Sequence, residues 1–192
     1  MILNRFDEAL LENIVYVEKT RSTNSYAKQF FMNNEYNYKI IVTDNQIDGR
    51  GTRDRTWLSI PFKNATFSIS IKANNNLLML DNLSILIAKT ISNYLNDRFK
   101  IVTYIKGLND IYCNEKKLCG ILIETLISES KLKHLLIGIG VNINQETFDG
   151  KLNDIATSLK NEIGKEIEIE KLINDICGII IKMKEIRVFI DE

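Results

Sequence analysis

The sequence predicts an α+β fold, a mainly antiparallel sheet with helices on one face. Three observations carry that prediction. After Ile101 come four apolar runs, "IVTYI", "DIYC", "LCGILIETL" and "KHLLIGIGVNI". The breaks between them are too short for the crossover that parallel neighbours require, so most must pair as hairpins. Second, "TFSISIK" alternates Phe67, Ile69 and Ile71 with Thr66, Ser68 and Ser70, the period of a half-buried strand. Third, "DNLSILIAKTISNYLNDRF" repeats Leu83, Ile87, Ile91, Tyr94 and Leu95 at helical spacing, an apolar stripe that covers a sheet.

In chain order, the first predicted helix starts at "STN", with Ser22 or Thr23 as its cap and Ala27, Phe30 and Phe31 on one face. "YKIIVTD" is a strand that runs into "NQIDGRGTRDRTW", and "TFSISIK" emerges from that loop. The helix that starts near Leu83 and the four hairpin strands follow, and a last long helix runs near Ile169 to Ile186. Pro61 is the one proline, and no repeat or low-complexity tract marks a linker. With 192 residues at 45% hydrophobic content, the chain buries one core rather than two, a single domain over residues 1–192.

Charge narrows the function. The 25 Lys and Arg balance the 25 Asp and Glu, so there is no sequence-wide positive field for duplex DNA and any basic site is local. The arginine loop also lacks the interleaved aromatics of a single-strand binder, and no nucleic-acid partner is expected. No window reaches the ~18 uninterrupted apolar residues of a membrane span. The start "MILNRFDEALLENIVY" carries acids where a signal peptide is basic and then apolar, so a cytoplasmic protein without a membrane partner is expected. Cys113, Cys119 and Cys177 show no CxxC spacing, which suits a reducing compartment, and His134 as the only histidine leaves no complete zinc ligand set.

The hairpins predict a cavity. A turn centred near Glu129 in "ISESK" sets Gly120 opposite Gly138 and Leu118 opposite Gly140. Glycine inside a strand sacrifices packing, so glycines on paired strands point to a ligand against the backbone; a bulge or a close helix contact is the alternative. General nucleotide and hydrolase motifs do not account for them. "GIGVNI" lacks the third glycine of a dinucleotide fingerprint, and the chain has neither GxxxxGK[ST] nor GxSxG.

One ordered string does account for them: "STN" at Ser22 to Asn24, "NQIDGRGTRDRTW" ending at Trp57, "NATFSISI", "KGLND" at Lys106 to Asp110, "KKLCGILIE" at Lys116 to Glu124, "GIGVNIN" at Gly138 to Asn144 and "ATSL" at Ala156 to Leu159. By these motifs the chain resembles the biotin protein ligases over about residues 15 to 186. The related lipoate ligases share the fold but lack the GRG loop and the "KKLCGILIE" string. The resemblance implies a catalytic core like that of class II aminoacyl-tRNA synthetases and biotin synthetases. It also implies an ATP-dependent biotin–[biotin carboxyl-carrier protein] ligase. Biotin and ATP are its substrates, Mg²⁺ its cofactor, biotinyl-5′-AMP its intermediate and a biotin carboxyl carrier protein domain its partner. The nucleophile is the acceptor's lysine, so the enzyme's own task is positioning and charge neutralisation, for which arginine's permanent planar charge suits carboxylate and phosphate.

Carried over residue by residue, the resemblance places biotin's ureido ring against Ser22, Thr23, Asn24 and Gln46. Gly120, Leu122, Gly138 and Gly140 form the slot for its rings and tail. Arg50, Gly51, Thr52 and Arg55 belong to a loop that closes over the adenylate, with Trp57 at its base. Lys117, between biotin's carboxylate and the α-phosphate, is the leading catalytic residue, with Arg50 and Arg55. Lys106, Asn109, Asp110 and Asn142 face the nucleotide, and Asn109 and Asp110 are the Mg²⁺ ligands.

Two departures are visible. The family's Lys-Trp-Pro-Asn-Asp reads "KGLND" here, so Gly107 and Leu108 are expected to loosen the segment that aims Asn109 and Asp110. The length leads us to expect neither the family's N-terminal DNA-binding module nor its C-terminal SH3-like domain. Both departures feed a second expectation from another class, a degenerate member that binds biotin or biotinyl-AMP without efficient transfer.

Overall fold

The computed structural model describes residues 6–31, 36–53, 55–73 and 82–190. Among them, seven strands form one mixed sheet. Strand β1 (Ile14–Thr20) leads through helix α2 (Thr23–Phe31) into β2 (Tyr38–Gln46), and the two strands pair in parallel. A two-stranded ribbon, β3 (Gly49–Arg50) with β4 (Thr56–Trp57), interrupts the path to β5 (Asn64–Lys72). Helix α3 (Leu83–Phe99) then crosses to the far edge, where β6 (Thr103–Lys106), β7 (Asp110–Cys113), β8 (Lys116–Ser128) and β9 (Lys131–Asn142) return as the predicted antiparallel hairpins. The meander ends when β9 pairs with β5, giving the order β1-β2-β5-β9-β8-β7-β6. Short helix α1 (Glu8–Leu11) precedes the sheet, and α4 (Leu152–Ile155), α5 (Leu159–Ile163), α6 (Ile169–Ile181) and α7 (Lys184–Ile190) follow it. No helix among the described residues is long and apolar enough to cross a membrane.

The α+β class and the mainly antiparallel sheet are as predicted. Strand β1 has no counterpart in the sequence reading: an edge strand without fully buried positions has a weak signature. The expectation of helices on one face holds for α3, α6 and α7. Phe67, Ile69, Ile71, Ile137 and Ile139 meet Ile87, Ile91, Ile176 and Ile180 in one large core. Helix α2 is the exception, because Ala27 packs with Ile41 and Leu136, whose neighbours in β2 and β9 point the other way. It lies where β5 presents Thr66, Ser68 and Ser70. That second face is therefore polar and thinly covered, and the site opens there. The Phe31 side chain lies outside what the structure describes.

Two boundaries also differ. The last helix stops at Ile181 and restarts at Lys184, since a continued apolar stripe would fall on Lys184 while Ile186 and Phe189 must be buried. In the β8–β9 hairpin the turn is Glu129–Ser130, both with positive φ, and a register shift follows at Leu126/Ile127. Gly120 therefore faces Gly140, and Leu122 faces Gly138, which corrects the predicted pairs of Gly120 with Gly138 and Leu118 with Gly140. The partner of Gly120 moves from 138 to 140, an even step. The glycines consequently stay on one face of the sheet, where an odd step would have turned them away.

Candidate active site

A cavity of about 410 Å³ opens on that face. Its lining includes Ser22, Thr23, Asn24, Gln46, Arg50, Gly51, Thr52, Arg55, Trp57, Asn109, Asp110, Lys117, Gly120, Leu122, Gly138, Gly140 and Asn142. Every predicted site residue except Lys106 is thus brought to one place. Lys106 sits on the outer strand pair, its ammonium 5.0 Å from the centre of the Tyr112 ring.

One end is a neutral hydrogen-bonding cradle at the start of α2. Ser22 caps the helix: its carbonyl accepts from Tyr26 N at 2.9 Å and its hydroxyl lies 3.5 Å from Ser25 N. The Thr23 N–H donates to Gln46 Oε1 at 2.9 Å, tying the helix start to the end of β2. Ser68 Oγ stands 2.6 Å from both Thr23 Oγ1 and Asn24 Oδ1. Ser22, Thr23, Asn24 and Ser68 are all buried, so their polar groups are paired inside the protein.

The glycines line the cavity as expected, and protein side chains also lie close against them. A Cβ on Gly138 would stand 2.7 Å from Asn24 Oδ1, and one on Gly140 would stand 2.4 Å from Cε2 of Trp57. On Gly120 it would reach the same indole at 3.0 Å. Trp57 lies across the paired glycines of β8 and β9, and its indole N–H is buried with no acceptor among the described residues.

The cations form the other end. Lys117 Nζ stands 2.7 Å from Asp110 Oδ1 and 5.5 Å from the centre of the Trp57 ring. Its carbonyl accepts from Thr157 N at 3.0 Å, so the segment after α4 braces its backbone. Asn142 Nδ2 donates to Thr157 O at 3.0 Å, which spends this amide on the same brace. Arg50 Nη2 reaches Glu124 Oε2 at 2.8 Å, whereas Arg55 donates to Thr52, to the carbonyl at 3.1 Å and the hydroxyl at 2.8 Å, folding the loop on itself.

The "KGLND" segment forms the turn between β6 and β7, with Asn109 tied to the neighbouring strand. Gly107 has φ +69°, so the tight turn between β6 and β7 requires glycine there. Asn109 is held by reciprocal bonds with Ile121: Ile121 N donates to Asn109 O and Asn109 Nδ2 to Ile121 O, both at 2.9 Å. The neighbouring strand thus holds Asn109 by both its backbone and its side chain.

Sequence reasoning missed Glu124 and Ser68, which do not line the cavity but bond to Asn24, Arg50 and Thr23, which do. Glu124 stood inside a quoted motif, but its partners Asn24, Lys28 and Arg50 are distant in the chain. Burial would push its carboxyl up, yet bonds from Lys28 and Asn24 and the charges of Arg50 and Lys28 hold it below the usual range. The thiols supply no nucleophile: burial pushes Cys113 up to about 11 and Cys119 up to about 12. What the arrangement can do is hold a neutral polar ring at one end and gather negative charge at the other.

A model of the biotin/lipoate A/B protein ligase family matches residues 16–142, and the chain belongs to that family. The bifunctional ligase/repressor BirA of Bacillus subtilis (strain 168) is 32% identical over 163 residues, covering 84% of this chain and 50% of its own length. The chain spans about half the length of the curated relatives it matches. The biotin protein ligase of Aquifex aeolicus, solved in complex with biotin and ATP, superposes with a TM-score of 0.76 at 27% identity, covering 94% of this chain and 73% of that one. The Leishmania major enzyme in complex with biotinyl-5-AMP gives 0.68 at 25% identity, over 88% and 74% of the two chains. The fold is that of the biotin protein ligase catalytic core.

Proposed function

We propose that this chain condenses biotin with ATP to biotinyl-5′-AMP and pyrophosphate, then passes the biotinyl group to a lysine of a biotin carboxyl carrier protein domain. The observation that carries the reading is the polarity of the cavity. A neutral cradle of Ser22, Thr23, Asn24 and Gln46 suits a ureido ring, and Lys117, Arg50 and Arg55 suit a carboxylate that meets phosphates. Family membership and relatives solved with biotin, ATP and biotinyl-5-AMP support it.

In this mechanism biotin's carboxylate oxygen attacks the α-phosphorus, a P–O bond forms, and pyrophosphate leaves with the electrons of the broken P–O bond. Lys117 holds both anionic groups together and neutralises the charge that develops between them. Asp110 keeps that ammonium in place beforehand. Arg50 and Arg55 close over the adenylate and shield the mixed anhydride from water. The acceptor amine then attacks the acyl carbon and AMP leaves. Asn109 Oδ1, left over once its nitrogen binds Ile121, and the Asp110 carboxylate would hold a Mg²⁺ brought by ATP, as hard oxygen donors suit a hard cation. When bound, the ion supplies further neutralisation of the phosphates. A cytoplasmic setting, with ATP at hand and thiols reduced, completes the proposal.

Incubation with biotin, Mg-ATP and a carrier domain, followed by mass spectrometry of the acceptor, tests it. Biotin on one carrier lysine is the expected result. Adenylate without transfer would favour the binding-module alternative, and no adenylate at all would sink the reading.

A further inference from the structure

Three donors converge on Glu124. Its Oε2 accepts from Asn24 Nδ2 and from Arg50 Nη2, and its Oε1 from Lys28 Nζ, each at 2.8 Å. An ionised carboxylate can only accept, so Asn24 turns its nitrogen toward Glu124, with the Leu122 carbonyl as a second, longer acceptor at 3.4 Å, and its oxygen the other way. That oxygen lies 2.6 Å from Ser68 Oγ, which donates to it. Ser68 has one hydroxyl proton and a second contact of 2.6 Å, to Thr23 Oγ1. With the Ser68 proton committed to Asn24, the short contact is satisfied only if Thr23 donates to Ser68 in preference to Gln46, which is 3.3 Å away. One charge on β8 therefore orders the protons of a chain that ends on β5 and α2. Asn24, Ser68 and Thr23 are buried, so their shortest hydrogen bonds are to protein partners and set this order.

The direction decides what the cradle shows to a ligand. Asn24 Oδ1 and Thr23 Oγ1 keep free lone pairs. Gln46 Oε1 is taken by Thr23 N–H, so its amide nitrogen is the donor that remains. The cradle thus offers oxygen acceptors beside a single amide donor, the complement of a ring with N–H groups flanking a carbonyl. If Asn24 were flipped, its N–H would meet the ring's N–H.

Building on the adenylation reading above, we propose that Glu124 is a positioning residue and a specificity determinant. Its negative charge fixes the direction of the hydrogen bonds through Asn24, Ser68 and Thr23, so that the cradle selects a cyclic urea over rings lacking an N–H donor.

Glu124→Met tests this. Methionine keeps the length of the side chain but accepts no strong hydrogen bond, so the group that orients Asn24 is gone and the chain loses its single direction. Calorimetry would compare biotin with a carbamate analogue in which a ring oxygen replaces one ureido N–H. The native protein should prefer biotin by on the order of tenfold or more, and Glu124→Met should reduce that preference to within about threefold. If the variant does not fold, Lys28→Met combined with Glu124→Met removes the unpaired cation, and the same ratio is read on it. A folded variant that keeps the native preference overturns the inference and leaves the adenylation reading standing. A native protein that binds neither ligand overturns both.

Discussion

Gly140 is a glycine because an indole lies on it, and this makes Trp57 a usable reporter. A Cβ at 140 would sit 2.4 Å from Cε2, so Gly140→Ala must displace the ring. We expect a change in tryptophan emission, unambiguous because Trp57 is the only tryptophan, and a loss of about 1–3 kcal/mol in urea unfolding from overpacking. Unchanged emission would mean that the ring is not where we describe it. At Lys117 the prediction concerns charge. In the proposed mechanism Lys117→Ala removes the cation that joins the reacting groups, and the rate of pyrophosphate release should fall on the order of 10² or more. It also strips Asp110 of its ion-pair partner, which costs stability. Adding Asp110→Asn should restore the unfolding midpoint without restoring the rate. Recovery of the rate would assign the first defect to folding.

Among the elements, the β3–β4 ribbon and the β6–β7 turn decide how the site is held. The ribbon is two residues long on each side; Trp57 anchors its β4 side on β8 and β9, and the Arg50 bond to Glu124 ties its β3 side. Arg50→Ala should leave adenylate forming slowly but escaping, because a ribbon that cannot close cannot sequester a reactive anhydride. Bystander proteins should gain more biotin than with the native protein, as read by mass spectrometry; equal labelling while adenylate still forms would remove the lid role. The β6–β7 turn gives the expected looseness a test. Its Gly107 at φ +69° means that tryptophan, the residue the family pattern places there, would be strained in this backbone. Even Gly107→Ala should destabilise by roughly 1 kcal/mol in urea titration, whereas a loose segment would tolerate it.

For the whole molecule, the sheet works as a wall between two environments, an apolar core under α3, α6 and α7 and a polar site under α2. His134 records the same burial. Desolvation, with the charges of Lys72 and Lys133 adding to it, lowers its pKa from 6.5 to about 4. The unfolded chain therefore binds a proton between those values that the folded chain refuses, so stability falls as pH drops from about 6.5 towards 4. Glu124 acts in the same direction but lower, since its depressed carboxyl costs stability only as pH falls below its ordinary value of 4.5. Urea midpoints between pH 7 and 5 should decline for the native protein and flatten in His134→Gln. An equal decline in both would place the titrating group elsewhere.

How much of this was legible depends on distance along the chain. Alternation in β5, the stripe of α3 and the short breaks between β6 and β9 are local patterns, and local sterics and amphipathicity suffice to read them. The order of motifs was legible too, and every site residue it implied except Lys106 lines the cavity, although Tyr112, Gln145 and Phe148 line it as well and were not named. Tertiary structure alone decided which helix crossed to the other face, because Ala27 presents too small an apolar surface to announce its side of the sheet. The turn geometry and register shift that moved the partner of Gly120 depend on how two strands pair, which neither strand encodes alone. The occupant of the glycine slot and the acceptor for Asn24 and Arg50 were invisible for the same reason. Glu124 lies 100 residues from Asn24 and 74 from Arg50, and a hydrogen bond between such partners exists only after the sheet has brought them together.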